Sequence, residues 1–207
     1  AMLLLPVPVP LLIFIPSIED GGVEKNLFLI SNYLTDKRLD ISLITADKRK
    51  KSFFKKNLNF IAPSSNHWST KGRFLKTIVC FYLLFKFHLK HQNFLILSFQ
   101  ANIYAIFFSI IFNLKIITRS NTAPRGWSSN ILKRYLFKIF FKFPKTVIVN
   151  SLDFKKDLDK EIIDKKLEQI IRKNYLSEIW LLAANSDIQK GIKDYKVDLN
   201  NTLLTTI

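Results

Sequence analysis

Short apolar runs alternate along this chain with longer stretches in which apolar positions recur every three or four residues. The short runs are β-branched or leucine-rich and read as buried strands, and the longer stretches read as amphipathic helices. Leu11–Ile15 is the first predicted strand. Gly22–Tyr33 is the first helix, with Val23, Leu27, Ile30 and Leu34 at helical spacing. Ile41–Thr45 predicts a second strand and Asn59–Ala62 a short third. Between them KRKKSFFKK, Lys48 to Lys56, reads as a solvated turn. A long helix over Thr70–Leu89 interleaves basic with apolar residues. Strand Phe94–Ser98, helix Asn102–Phe112 and strand Lys115–Arg119 follow. A basic amphipathic helix spans Ser128–Phe141, then a strand Thr146–Asn150, and Ser151 caps a helix over Leu152–Asp159.

Strands that alternate with helices imply a parallel sheet covered on both faces. The expected fold is α/β, a Rossmann-like open parallel sheet flanked by helices. Residues 1–10 form a lead-in and 11–160 the domain. Beyond Lys160 the pattern changes: Glu161–Tyr175 is a charged amphipathic helix, Leu176–Ala184 is apolar, and the remainder is polar. Residues 161–207 therefore read as a helical or partly disordered tail, with no new run of strands.

Composition adds a partner class to this picture. The chain of 207 residues is 48% hydrophobic, enough for a real core, and carries 32 Lys and Arg against 16 acidic residues, a net charge of +16. Such an excess points to an anionic partner: nucleic acid, a membrane surface or a phosphorylated ligand. Many lysines sit beside Phe, as in Phe85-Lys86-Phe87 and Phe140-Phe141-Lys142, a mixture suited to the headgroup boundary of an anionic bilayer or to solvated helix faces. Phe74–Leu89 contains Lys76 and Lys86, and Ala101–Phe112 is shorter than the ~20 residues needed to span, so both read as buried or interfacial helices. The N-terminal apolar run resembles a signal peptide but lacks a basic start and is interrupted by Pro6, Pro8 and Pro10.

The candidate chemistry gathers at the carboxyl ends of the predicted strands, where open α/β sheets bind ligands. Gly21-Gly22 stand between the first strand and first helix, where backbone N–H groups can meet an anion. Glu19 and Asp20 in the same loop are candidates for sugar hydroxyls. Glu24 falls in the first helical turn, a position the helix dipole favours for a carboxylate. Asn102, Arg119, Asn121 and the pair Asn150-Ser151 end later strands. A buried arginine such as Arg119 suits a phosphate clamp or an ion pair with a carboxylate such as Asp153. There is no GxGxxG, no GxxxxGK[ST], no HExxH, and no Ser-His-Asp or Cys-His arrangement. Cys80 is the single cysteine, which excludes an intrachain disulfide. His88 and His91 stand three apart, but a solvated or helix-terminal pair is the simpler reading than a metal site. No metal or cofactor is expected. Without an RNP motif, zinc-finger spacing or GxxG loop, nucleic acid is the least favoured partner.

Five segments together resemble the N-terminal domain of retaining glycosyltransferases of family 4, which have the GT-B fold. They are IPSIEDGGVEKNLFLISNYL (Ile15–Leu34), ISLIT (Ile41–Thr45), ILSFQANIYA (Ile96–Ala105), IITRSN (Ile116–Asn121) and VIVNSLDFKKDL (Val147–Leu158), in the family's order. The resemblance implies that Gly21 and Gly22 lie near the donor diphosphate. It implies that Asn102, Arg119 and Asn121 lie on the acceptor or cleft side, to which Glu19 and Asp20 are added as candidates for sugar hydroxyls. It also implies a second α/β domain that binds the nucleotide-sugar and carries two glutamates with seven residues between them. Glu161 and Glu168 have six between them and lie on a lysine-rich helix, without the preceding strand and loop.

The expected protein is thus a single GT-B-type half, the acceptor-side domain of a truncated or split hexosyltransferase. Completed by a donor-binding partner, it moves a sugar from a nucleotide-sugar to a membrane-linked or cell-surface glycan. The catalytic residues are not assigned. Its expected place is cytoplasmic, peripheral at the inner face of the cell membrane, with helices 70–90 and 128–142 against the leaflet. The alternatives are a non-catalytic membrane-surface binding module of the same fold, and a basic nucleic-acid binder.

Overall fold

The computed structural model describes residues 9–19, 21–37, 40–120, 131–149 and 178–181, with the backbone path alone at 131–134 and 178–181. The chain divides into two units, Ala1–Leu97 and Ser98–Ile207. Both are parallel α/β in construction, as the alternation of elements predicts.

The first unit contains β1 (Leu11–Phe14), α1 (Gly22–Asp36), β2 (Ile41–Ile44), β3 (Asn59–Ile61), α2 (Arg73–Lys90) and β4 (Leu95–Ser98), whose last residue opens the second unit. The strand order is β3-β2-β1-β4. The chain runs outward from β1 to β3, then returns through α2 to the other side of β1. This is the reversal that creates a crevice in Rossmann-like sheets. Leu11–Phe14 pairs in parallel with Ile41–Ile44, and Ser42–Ile44 with Asn59–Ile61. Leu12, Ile13, Phe14, Leu43 and Ile44 are wholly buried, as expected for strands covered on both faces. Phe14 meets Phe81 of α2 edge-on at 5.7 Å, so the central strand and the crossover helix share one core. Burial of each such side chain contributes roughly 1.5–3 kcal/mol.

The long helix starts later than its pattern suggests. Asn66–Thr70 form a 3-10 turn, and Gly72 in extended conformation precedes Arg73. Of the charged 48–56 segment, Lys48–Phe53 form a 3-10 turn with no buried residue, in keeping with a solvated turn, while Phe54 is buried against Phe28 and Phe60. In α1 the innermost line is Glu24, Leu27, Ser31 and Thr35, while Val23, Ile30 and Leu34 are only half-buried. Small polar side chains can face inward because they bond within the helix. Thr35 Oγ1 donates to the Ser31 carbonyl at 2.6 Å and Ser31 Oγ to that of Phe28 at 3.2 Å.

The second unit contains α3 (Asn102–Ile111), β5 (Lys115–Arg119), α4 (Ile131–Phe140), β6 (Thr146–Val149) and β7 (Glu178–Leu181), with strand order β5-β6-β7. Ile117–Arg119 pairs in parallel with Thr146–Ile148, and Thr146–Val149 with Glu178–Leu181. Asn113 ends α3 in the left-handed region at φ 51°. The Leu114 N–H then reaches the Ser109 carbonyl at 2.8 Å and the Asn113 N–H that of Ile110 at 3.4 Å, a Schellman closure. Strand β7 falls inside the apolar stretch Leu176–Ala184 of the tail, and Glu178–Leu181 extends beside β6. Helices expected over Leu152–Asp159 and Glu161–Tyr175 lie outside the described residues.

Candidate functional site

In the first unit the polar groups gather where β1 and β2 end. The chain stays paired past both strands: the Ile15 N–H donates to Ile44 and the Ala46 N–H to the Pro16 carbonyl, each at 3.1 Å. This pairing places Ser17 and Ile18 beside Asp47. Asp47 Oδ2 accepts the Ile18 N–H at 2.6 Å, and Asp47 Oδ1 accepts from Lys76 Nζ at 2.7 Å. Lys76 Nζ also donates to Ser17 Oγ at 3.2 Å. Asp47, Lys76 and Ser17 are all buried. A buried charge is tolerated only when paired and hydrogen-bonded, and here each partner meets the other and a group on the β1 loop.

The network continues outward. Ser17 Oγ donates to Glu19 Oε1 at 3.4 Å, and Arg73 grips the Glu19 carboxylate with both Nε, at 2.7 Å, and Nη2. This two-pronged hydrogen bond holds the Glu19 carboxyl below its ordinary value. Cys80, one turn beyond Lys76, is buried under Pro16, and desolvation, reinforced by the Asp47 charge, raises its thiol pKa. It is therefore an unreactive core thiol.

Gly21 and Gly22 stand at the start of α1, as the sequence predicts, with Gly21 at the N-cap in extended conformation. Neither requires glycine for its backbone, since both lie outside the left-handed region. Their difference lies in the space around them. A Cβ on Gly22 would meet nothing within 4 Å, whereas one on Gly21 would lie 2.9 Å from Glu24 Oε2. Glu24 is buried and turns its carboxylate back over the helix start, where Oε1 accepts the Glu19 N–H at 3.3 Å. The helix terminus that suits an anion thus already has the chain's own carboxylate against it.

In the second unit Asn102 and Arg119 come together. Asn102 Oδ1 accepts from Ser98 Oγ at 2.8 Å, and its Nδ2 donates to the Arg119 carbonyl at 2.9 Å. Asn102 does not cap α3. The N-cap is Ala101, held at φ 55° and ψ 34° without a side-chain cap bond. Arg119 is buried, 2% exposed, with its guanidinium 5.6 Å from the centre of the Phe99 ring, a cation–π geometry. The Ser120 N–H donates to Ile148 at 2.9 Å and extends the pairing past β5.

Asp20, Asn121, Asn150, Ser151 and Asp153 lie outside the described residues. His91 stacks on Phe87 at 4.5 Å, and among the described residues no group of three metal-ligating side chains is present. Sequence reasoning missed Asp47, Lys76 and Arg73. A signal for Lys76 exists: it shares the spacing of Cys80, Leu84 and Phe87, the buried line of α2. A lysine on that line requires an anionic partner inside.

No family model matches the chain, and no curated protein matches it in sequence. Among solved structures it is similar to UGT2 of Phytolacca americana complexed with UDP-2fluoro-glucose and pterostilbene. That match has 9% identity and a TM-score of 0.46, and covers 88% of this chain and 54% of the other. It is also similar to a UGT transferase from Siraitia grosvenorii in complex with UDP, at 11% identity and a TM-score of 0.47, with coverage again of 88% and 54%. The chain thus spans about half the length of each of these structures.

Proposed function

We propose that this chain is the acceptor-side domain of a glycosyltransferase that moves a hexosyl group from a nucleotide-sugar to a membrane-linked or cell-surface glycan. The reading rests on the family 4 resemblance. The observation that carries it is where the resembling segments fall. Gly21-Gly22 follow the carboxyl end of β1, Asn102 follows that of β4, and Arg119 ends β5; carboxyl ends of strands are where α/β sheets bind ligands. In this reading Gly21 and Gly22 receive the donor diphosphate through the amides opening α1. Glu19, Asp20, Asn102, Arg119 and Asn121 form the acceptor or cleft side. Two alkyl-free glycines let a ligand approach closely, and Gly22 has the open space to admit one. A donor-binding partner supplies the rest of the diphosphate's electrostatic stabilisation.

The position of Glu24 favours a second reading, a non-catalytic module of the same fold. Its carboxylate lies where a phosphate oxygen would dock, and Glu19 is already held by Arg73. Calorimetry with UDP- and GDP-sugars separates the two. Binding at millimolar ligand or below supports the transferase domain, and its absence overturns that role in favour of the module.

A further inference from the structure

In the second unit, helices α3 and α4 turn large apolar side chains outward. Ala105, Ile106, Phe108 and Ser109 form the buried side of α3. Phe107, Ile110 and Ile111 lie on its other side, with Phe107 51% and Ile111 56% exposed. On α4 Tyr135, Leu136 and Ile139 are exposed, Tyr135 at 61%. At 100° per residue each group fills an arc of about 100° on its helix. The two arcs join, because the Phe107 ring meets that of Phe140, the residue after Ile139, edge-on at 6.1 Å. Single exposed hydrophobic residues are ordinary, but six large ones gathered on two adjoining helices mark a binding surface.

Charge and area identify the occupant as a second copy of this chain. Asn102–Ile111 contains no charged residue, and at 100° per residue the basic positions of α4 fall outside the arc of Tyr135, Leu136 and Ile139. A charged partner therefore finds no counter-charge within the patch. The chain carries +16, so two copies repel one another unless their contact is free of lysine and arginine. This surface meets that condition. A two-fold contact also needs a patch that complements itself, and uncharged aliphatic and aromatic side chains do so. Area points the same way. A fully buried aromatic side chain covers ~150–250 Å², so Phe107 and Tyr135 at half exposure leave about 100 Å² each, and the four aliphatic side chains bring the patch to roughly 500 Å². Two such patches bury about 1,000 Å², the lower bound for a specific protein interface.

We infer that the chain forms a two-fold dimer through α3 and α4, with Phe107, Ile110 and Ile111 and with Tyr135, Leu136 and Ile139 of each copy against the same surface of the other. The inference goes beyond the function proposed above and uses none of its residues. Failure of sugar binding leaves the dimer standing, and a monomeric chain leaves the transfer reaction standing.

The test is sedimentation velocity of the whole chain over micromolar concentrations, at low and at high salt. Wild type is expected to form a dimer that high salt strengthens, since screening weakens the repulsion between two strongly basic chains. Ile111→Lys on α3 and Leu136→Ser on α4 are each expected to raise the dissociation constant at least about tenfold. Their circular dichroism spectra are expected to match wild type, since both side chains face outward. Leu89→Ser, on the exposed side of α2, is expected to leave the dimer intact. A wild type that stays monomeric at both salt concentrations would overturn the assignment. So would a dimer that survives both Ile111→Lys and Leu136→Ser, or one that Leu89→Ser dissolves equally. A monomeric wild type that floats with phosphatidylcholine vesicles, and loses that binding in Ile111→Lys, would give the patch to a bilayer instead.

Discussion

Lys76 Nζ stands 2.7 Å from Asp47 Oδ1, with the two side chains only 8% and 6% exposed. The pair joins α2 to the end of β2, and through Ser17 and the Ile18 N–H it pins the loop that leads to Gly21. Removing one partner leaves the other charge buried. Lys76→Met or Asp47→Asn is expected to cost about 3–5 kcal/mol. The double variant is expected to cost clearly less than the sum. Urea unfolding of the four proteins measures the coupling, and additive losses would show that the charges act independently.

Gly22 separates a structural from a binding role. Its Cβ position is open, so Gly22→Ala is expected to leave stability unchanged or raise it by about 0.5 kcal/mol. If the donor diphosphate meets this turn, the methyl group instead weakens nucleotide-sugar binding. Thermal unfolding and calorimetry on the same preparation give both values, and unchanged affinity would remove Gly22 from the site.

Glu24 holds its carboxylate at the start of α1, beside the Glu19 N–H. Glu24→Gln keeps the shape and removes the negative charge. Affinity for a nucleoside diphosphate is expected to rise at least about fivefold, since like charges ~4 Å apart repel by roughly 1 kcal/mol even in bulk water. A fall on calorimetry would mean that the carboxylate itself serves the ligand.

Ala101 occupies the left-handed region at φ 55°, which costs a residue with a Cβ about 1–2 kcal/mol. Ala101→Gly is expected to stabilise the second unit by about 1 kcal/mol, less the added entropy of glycine in the unfolded chain. A rise of a few degrees in the melting temperature checks it.

The Glu19 carboxyl is held below its ordinary value by Arg73. The folded state therefore binds fewer protons than the unfolded chain in acid. The contribution is present above the ordinary carboxylate value and is lost as pH falls through the lowered one. Glu19→Gln is expected to flatten the melting-temperature profile between roughly pH 5 and 3. The effect is small because the pair is exposed.

The alternation of apolar runs with helical periodicity determined the α/β class and nearly every element from Leu11 to Val149, because β1, β2 and β4 are buried almost throughout and α1, α2 and α3 each have a packed side. It also placed Gly21, Gly22 and Arg119 at strand ends, since local sequence specifies where a strand gives way to a turn. Tertiary structure decided the rest. Asp47 and Lys76 are 29 residues apart, and only the return of α2 past the end of β2 makes them a pair. The inner line of α1 turned toward Glu24, Ser31 and Thr35, because their polar atoms find partners in the helix or the adjoining loop. Strand β7 took its place because β6 offers a parallel partner, and a partner remote in sequence is not visible in the local pattern. The glycine loop shows the division most clearly: its position is local information, while the carboxylate folded over it and the buried ion pair behind it are products of the fold.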